Sequence, residues 1–257
     1  MLNLRPLILK RDILLLLLRK EFRLRYKGSA IGYLWAILNP LCFAAVYFIA
    51  FKVILRFGQE NYAIQLIVAL FPWMWIVNSL VQGTNSIRNN LSLVKKVSFN
   101  YVILPLSNVL HDTIHFIFCL PIMMIFIWYA DYPFYLSWLW QIPFMILIQI
   151  VFLLPIVIFL SSLNVFIRDI EYIISLLLSM LFFLTPIIYP ITIVPAKYLI
   201  FYKFNLIAVL IENWRLLFFE GTLDYGPILF IFLISLISLL FTYKFFLKKA
   251  KLFGEVL

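Results

Sequence analysis

The chain has 257 residues, of which 65% are hydrophobic and 12% charged, about half the charged share of a soluble globular domain. Uncharged runs long enough to cross a bilayer recur along it without alternating apolar and polar residues, which excludes both a soluble domain and an outer-membrane barrel. The net charge of +10 sits in Lys and Arg between those runs, the pattern of cytoplasmic loops and not of a nucleic-acid surface; Cys42 and Cys119 lie in apolar runs with no disulfide or metal spacing.

Residues 1–27 carry eight Lys/Arg against Asp12 and Glu21. Ile13–Leu18 is too short to span. Leu14–Leu18 runs straight into Arg19 and Lys20 with no small-residue cleavage site, so it is not a signal-peptide core. On a helical wheel Arg19, Lys20, Arg23 and Lys27 form one basic stripe, and Leu14, Leu18, Phe22 and Tyr26 fall on another face. This reads as a cytoplasmic amphipathic helix in the membrane interface, whose basic face either rests on lipid headgroups or docks a partner. The stretch Tyr26–Pro40 then joins water-facing to lipid-facing chain. Gly28 and Gly32 allow a bend, and Asn39-Pro40 puts a polar side chain and a missing N–H inside an apolar run.

The rest reads as an all-α integral membrane protein with six transmembrane helices at about 29–55, 63–83, 104–130, 141–165, 172–189 and 227–247. Residues 84–103 return to water with Arg88, Lys95 and Lys96, and Arg168, Asp169 and Glu171 mark a tight inner turn. Residues 190–224 are too charged to span and too apolar for a free loop. They read as two short re-entrant helices that dip into the outer leaflet, with Glu212 and Arg215 paired at i,i+3 and Trp214 as an interfacial anchor. Their role is either a gate at the outer exit or a fixed plug. This map holds 16 Lys/Arg inside and 5 outside, which places both termini in the cytoplasm. No internal repeat is visible, against an inverted-repeat secondary transporter.

The available chemistry is thin. The glycines, at 28, 32, 58, 83, 221, 226 and 254, never make the GxxxxGK[ST] loop that cradles phosphates. His111 and His115 are i,i+4 with Asp112 between them, but no third metal ligand is evident; a polar, water-facing or structural role competes with metal binding. Asp169 and Glu171 stand beside Arg168, where an ion pair or helix cap outweighs a metal-sugar acidic pair. No catalytic set and no metal site is assigned. On the first span Trp35, Asn39, Phe43, Tyr47 and Phe51 recur every four residues along one slowly rotating face. Aromatic faces of this kind stack on sugar rings, and equally they sit against lipid.

Four stretches resemble the permease subunits of ABC-2-type polysaccharide exporters, the family that exports O-antigen, capsule or teichoic-acid chains. They are YKGSAIGYLWAILNPL (Tyr26–Leu41), LVKKVSFNYVILPLSNVL (Leu93–Leu110), FIRDIEYIISLLLSMLFFLTPIIYP (Phe166–Pro190) and NLIAVLIENWR (Asn205–Arg215). With six spans and a basic amphipathic start they cover most of the chain. It departs from the family where Asn100-Tyr101-Val102 stand in place of a frequent Pro-Arg-Glu, and where Asn205-Leu206 stand in place of Asn-Pro. The resemblance implies an interface helix at 1–27 and an ABC-2 transmembrane domain at 28–257. It implies a homodimer in the bacterial inner membrane with two copies of a separate nucleotide-binding ATPase, which holds ATP and Mg2+; this chain needs no cofactor. A channel at the dimer interface would pass lipid-linked polysaccharide, O-antigen first, past Trp35, Asn39, Phe43, Tyr47 and Phe51. The 84–103 loop, with Arg88, Lys95 and Lys96, and the interface helix, with Arg19 and Arg23, would couple to the ATPase. Glu212, Trp214 and Arg215 would form the outer gate. The alternatives are a small-lipid or drug exporter of the same family, which a large hydrophilic outer domain would have favoured, and a membrane glycosyl- or acyltransferase, for which only His111 and Asp112 offer groups.

The charge asymmetry fixes a simple outcome. Reporter fusions at Leu257 and near Gln59 give opposite signals, the first cytoplasmic and the second external; the same signal at both removes the six-span map.

Overall fold

The computed structural model describes residues 5–26, 28–29, 31–54, 56, 61–97 and 99–256, and all regular structure among them is helical. Lys27, the last member of the basic stripe, lies outside the described residues. Helix α1 (Arg5–Tyr26) is the amphipathic segment. The chain then turns through Gly28 at φ 79 and Gly32 at φ 58, left-handed values that glycine adopts without steric penalty. A 3-10 turn over Gly32–Leu34 leads into α2 (Trp35–Phe48), which carries on as a π-helical turn over Ile49–Ile54. Pro40 sits inside α2, so the helix runs through the Asn39-Pro40 pair.

Helices α3 (Tyr62–Thr84), α4 (Leu91–Lys96), α5 (Ile103–Tyr129) and α6 (Trp138–Phe166) follow. Pro72, Pro121, Pro143 and Pro155 all lie within helices, as lipid permits where neighbouring helices satisfy the backbone. Helix α7 (Ile170–Leu184) has 15 residues, shorter than the span expected to run to 189. Pro186 is the cause. The residue before a proline is pushed out of the helical region, and Thr185 is extended at φ −107, ψ 140. Asp169 takes the N-cap position of α7 without a side-chain cap bond, and Glu171 sits in the first turn, where a negative charge suits the helix dipole.

The 190–224 region holds two helices, α8 (Leu199–Phe204) and α9 (Leu206–Glu220). Helices α10 (Tyr225–Ala250) and α11 (Phe253–Val256) complete the chain. Among the described residues five helical stretches are long and apolar enough to cross a membrane: Ile37–Ile54, Tyr62–Thr84, Ile103–Tyr129, Trp138–Phe166 and Tyr225–Ala250. At 1.5 Å per residue α7 is about 22 Å long, short of the roughly 30 Å hydrocarbon core.

Helix α3 is the centre, in contact with α2, α5, α6, α7 and α9. Burial is uneven. In their most apolar stretches α3 is 72% buried, α2 with its π turn 11%, and α10 17%, so the outer helices leave broad faces for lipid or partners. A main core fills the space around α3. A second cluster gathers Leu17 of α1, Val94 of α4, Leu104 of α5, Val165 of α6, Phe246 of α10 and Phe253 of α11. The Phe253 ring lies 5.5 Å from Phe246, 6.0 Å from Phe166 and 6.3 Å from Tyr101, so the last short helix locks the loop around α4 to α6 and α10.

Candidate functional site

Side chains four residues apart advance about 40° per step around an α-helix. Trp35, Asn39, Phe43 and Tyr47 therefore share one face of α2, whereas Phe51 lies past the start of the π turn; Tyr47 and Phe51 both pack against the main core. Two grooves border this face. One of about 210 Å3 runs between α2, α3 and α5 and is walled by Trp35, Asn39, Trp75, Asn78, Asp112 and His115. The other, of about 530 Å3, runs between α2, α3 and α7 and is walled by Asn39, Phe43, Tyr47, Trp73, Asn78 and Phe182. Ring centroids are 6.4 Å apart for Phe43 and Tyr47, 5.2 Å for Tyr47 and Phe182, and 5.9 Å for Trp73 and Phe182, a continuous aromatic wall across three helices. The spacing in the first span found four of these residues. Trp73, Asn78 and Phe182 come from other helices and carried no comparable signal.

At the end where α1, α4 and α11 meet, Arg19, Arg23, Lys95 and Lys96 are exposed and Arg88 is half-buried. Lys20 Nζ donates to Asn90 Oδ1, and Asn90 Nδ2 donates to Ser86 O at 2.8 Å, so α1 is tied to the segment that leads into α4. Tyr101 Oη donates to Val94 O at 3.1 Å and steadies the far end of α4. Phe22 of α1 lies against His111 at 4.4 Å and His115 at 5.4 Å between centroids. The two histidine Nε2 atoms are 3.2 Å apart, so one ring donates and the other accepts; His111 Nδ1 is 3.4 Å from Asp112 Oδ1. Among the described residues no three His, Cys, Asp or Glu converge as a metal site.

The 190–224 region divides in two. Helix α9 is bonded at every level. Asn205 Oδ1 accepts from Ile207 and Ala208 N–H at 3.1 Å and caps its start. Arg215, 7% exposed, lies 3.4 Å from Glu212 and donates to Ile187 O at 3.0 Å and Tyr189 O at 3.3 Å. Trp138 Nε1 donates to Leu217 O at 2.8 Å, and Ser137 and Gln141 donate to Gly221 O at 2.9 Å each. Trp214 corrects the sequence reading. It is no interfacial anchor: its ring is fully buried, and Nε1 donates to Gln149 Oε1 at 2.8 Å while Gln149 Nε2 donates to Pro72 O at 3.1 Å. The cause is that α9 packs on α3 and α6, so its largest side chain faces the bundle. In contrast Ile193, Tyr198, Ile200, Phe201 and Phe204, which precede α9, are 46–79% exposed.

Residues 13–219 match the family described as ABC-2 type transporter. Two sequences named O-antigen export system permease protein RfbA from Klebsiella pneumoniae are 35% and 36% identical over 246 residues, covering 96% of this chain and 95% of each relative. A protein of the same name from Myxococcus xanthus is 31% identical over 259 residues, covering 98% of this chain and 97% of the relative.

The Trp214–Gln149 bond sets a double-mutant test. Gln149→Leu and Trp214→Phe each leave a buried partner unsatisfied and lower the stability of the solubilised protein by about 1–3 kcal/mol. The double variant costs less than the sum, because it removes both partners at once. Additive losses in thermal unfolding would mean that the bond contributes nothing to holding α9.

Proposed function

Because this chain belongs to the ABC-2 type transporter family, we propose that it is the permease subunit of an exporter that moves O-antigen, as lipid-linked polysaccharide, across the inner membrane. The observation that carries this is near end-to-end identity of 31–36% with relatives named as O-antigen export permeases. These relatives do not favour a small-lipid or drug exporter, or a membrane transferase.

In this reading α7 is the fifth of six spans, the local membrane adapts to its length, and the 16 to 5 excess of Lys/Arg holds both termini in the cytoplasm. The end with α1, α4 and α11 then faces the cytoplasm. The chain has no phosphate-binding loop, so ATP and Mg2+ fall to two copies of a partner ATPase. The exposed Lys95 and Lys96 on α4, with Arg19 and Arg23 on α1 and Arg88 beside them, offer that partner a basic docking face. ATP binding closes the ATPase pair and displaces α4.

The path runs along α2. Helices α2 and α7 keep exposed apolar faces, with Phe43, Leu176, Met180 and Phe183 among them, on either side of the 530 Å3 groove. A second copy set against these faces encloses the groove as a channel whose aromatic wall offers stacking surface to sugar rings of many kinds. The outer exit is closed by the re-entrant region. The bonds that hold Trp214 and Arg215 support a fixed α9, and the exposed 191–204 stretch is the part free to move. Glu212 and Arg215 thus frame the gate and do not swing with it.

Removing the chain from a cell that makes O-antigen leaves the polymer inside, and restoring it returns polymer to the surface. Tyr47→Ala restores surface polymer poorly while binding the ATPase normally; full export with Tyr47→Ala and Phe43→Ala would remove the aromatic path. With Cys42 and Cys119 replaced, a cysteine at Ser92 forms crosslinks to the ATPase, and failure to reach it under any nucleotide condition would count against α4 as the coupling element.

A further inference from the structure

Several long polar side chains at membrane depth find partners within the chain. Gln149 bonds Trp214 and Pro72 O, Asn164 Nδ2 donates to Thr84 O at 3.1 Å and Asn85 Oδ1 at 2.9 Å, and Asn108 Nδ2 donates to Leu104 O at 3.1 Å. Asn39 and Asn78 have no hydrogen-bond partner among the described residues, and both line both grooves beside α2. Trp75, on the wall of the smaller groove, is 3% exposed and holds Nε1 buried without a partner, its ring fixed 4.7 Å from Phe116. The two unpartnered amides, on facing helices, border one space, at a depth where each such group is costly unless something fills the need.

We propose that Asn39 and Asn78 form a hydrogen-bonding station that reads the hydroxyls of sugar residues as the glycan passes. The inference rests on the polysaccharide path proposed above. A lipid tail offers these groups nothing. Water satisfies the amides but gains nothing from the aromatic wall of Tyr47, Trp73 and Phe182. A hexose residue meets both surfaces, its C–H face on a ring and its hydroxyls on the amides. A primary amide carries a donor and an acceptor side by side and so pairs with two neighbouring hydroxyls. Asn39 and Asn78 lie roughly 6–9 Å from the inner ends of their helices at 1.5 Å per residue. The station is therefore near the cytoplasmic mouth, where the leading sugars first leave water, and it replaces hydration hydrogen bonds at that step.

The test uses the assembled complex of this chain with its ATPase in cells making the glycan. A photoreactive phenylalanine, p-benzoylphenylalanine, is placed at position 78, or at position 47 on the aromatic wall. Adducts to glycan form at both. Asn78→Leu lowers export about fivefold or more, as loss of hydrogen bonds at a desolvated site requires, with the amount of assembled complex unchanged; Asn78→Gln, which keeps the amide, recovers most of it. Glycan adducts at 47 but not at 78 would overturn the station and leave the path standing. Adducts at neither position would overturn the path and the station together. Adducts from 78 only to a second copy of the chain, or wild-type export by Asn78→Leu, would make the amide a packing contact and end the proposal.

Discussion

Hydrocarbon supplies no hydrogen bonds, so each polar group held at membrane depth must find its partner in the protein. The chain after α7 is shaped by this requirement more than any other part. Pro186 ends α7 early and leaves an irregular stretch whose carbonyls have no helical partner. Arg215 takes Ile187 O and Tyr189 O, and Tyr62 Oη takes Ile188 O at 2.9 Å. At its other end α9 leaves its own last carbonyls free, and the start of α6 covers them through Tyr135, Ser137, Trp138 and Gln141. A charged guanidinium at 7% exposure is tolerable there because it replaces several unmet acceptors at once and has Glu212 beside it.

This same accounting separates what is held from what is free. Helix α9 packs on α3 and is bonded to α6 and the turn after α7, so it belongs to the scaffold although it is too short to span. The residues just before it expose large aromatic side chains and pack loosely. Around α2 the pattern reverses: the helix is little buried, and the amides at 39 and 78 face space instead of partners.

The sequence made local features legible. The bend between α1 and α2 follows from Gly28 and Gly32, five of the six expected spans follow from apolar length, and the Glu212–Arg215 pair follows from i,i+3 spacing. The family likeness was also readable from four short stretches. What stayed hidden was long-range. Trp214 meets Gln149 65 residues away in sequence, and Trp138 meets Leu217 79 residues away. Periodicity on one helix cannot show which neighbour it will face, so an aromatic residue next to charges read as an interface anchor while packing had placed it in the core. Phe51 lies in the π turn, which changes the angular step, and a four-residue rule holds only while the helix stays α. Phe253, in a segment too short to read as structure, became a locking side chain only through rings contributed by Tyr101, Phe166 and Phe246.

These contacts also define how a load at α4 would travel. Val94 of α4 is buried with Leu104 of α5, Val165 of α6 and Phe253, so α4 cannot shift alone; it moves with the inner ends of the bundle. The bond from Lys20 to Asn90 adds α1 to that block, and Phe22 of α1 bears on His111 and His115 beside the smaller groove. Helix α1 joins α2 through the bend at Gly28 and Gly32, where a Cβ would meet nothing within 4 Å. The block is therefore stiff up to that bend and compliant beyond it. Since α2 is also the least buried long helix, a displacement of the block changes the spacing of α2 from α3 more readily than it deforms the core around α3. The two grooves that share Asn39 and Asn78 lie across that spacing, so these two amides sit where the fold resists widening least.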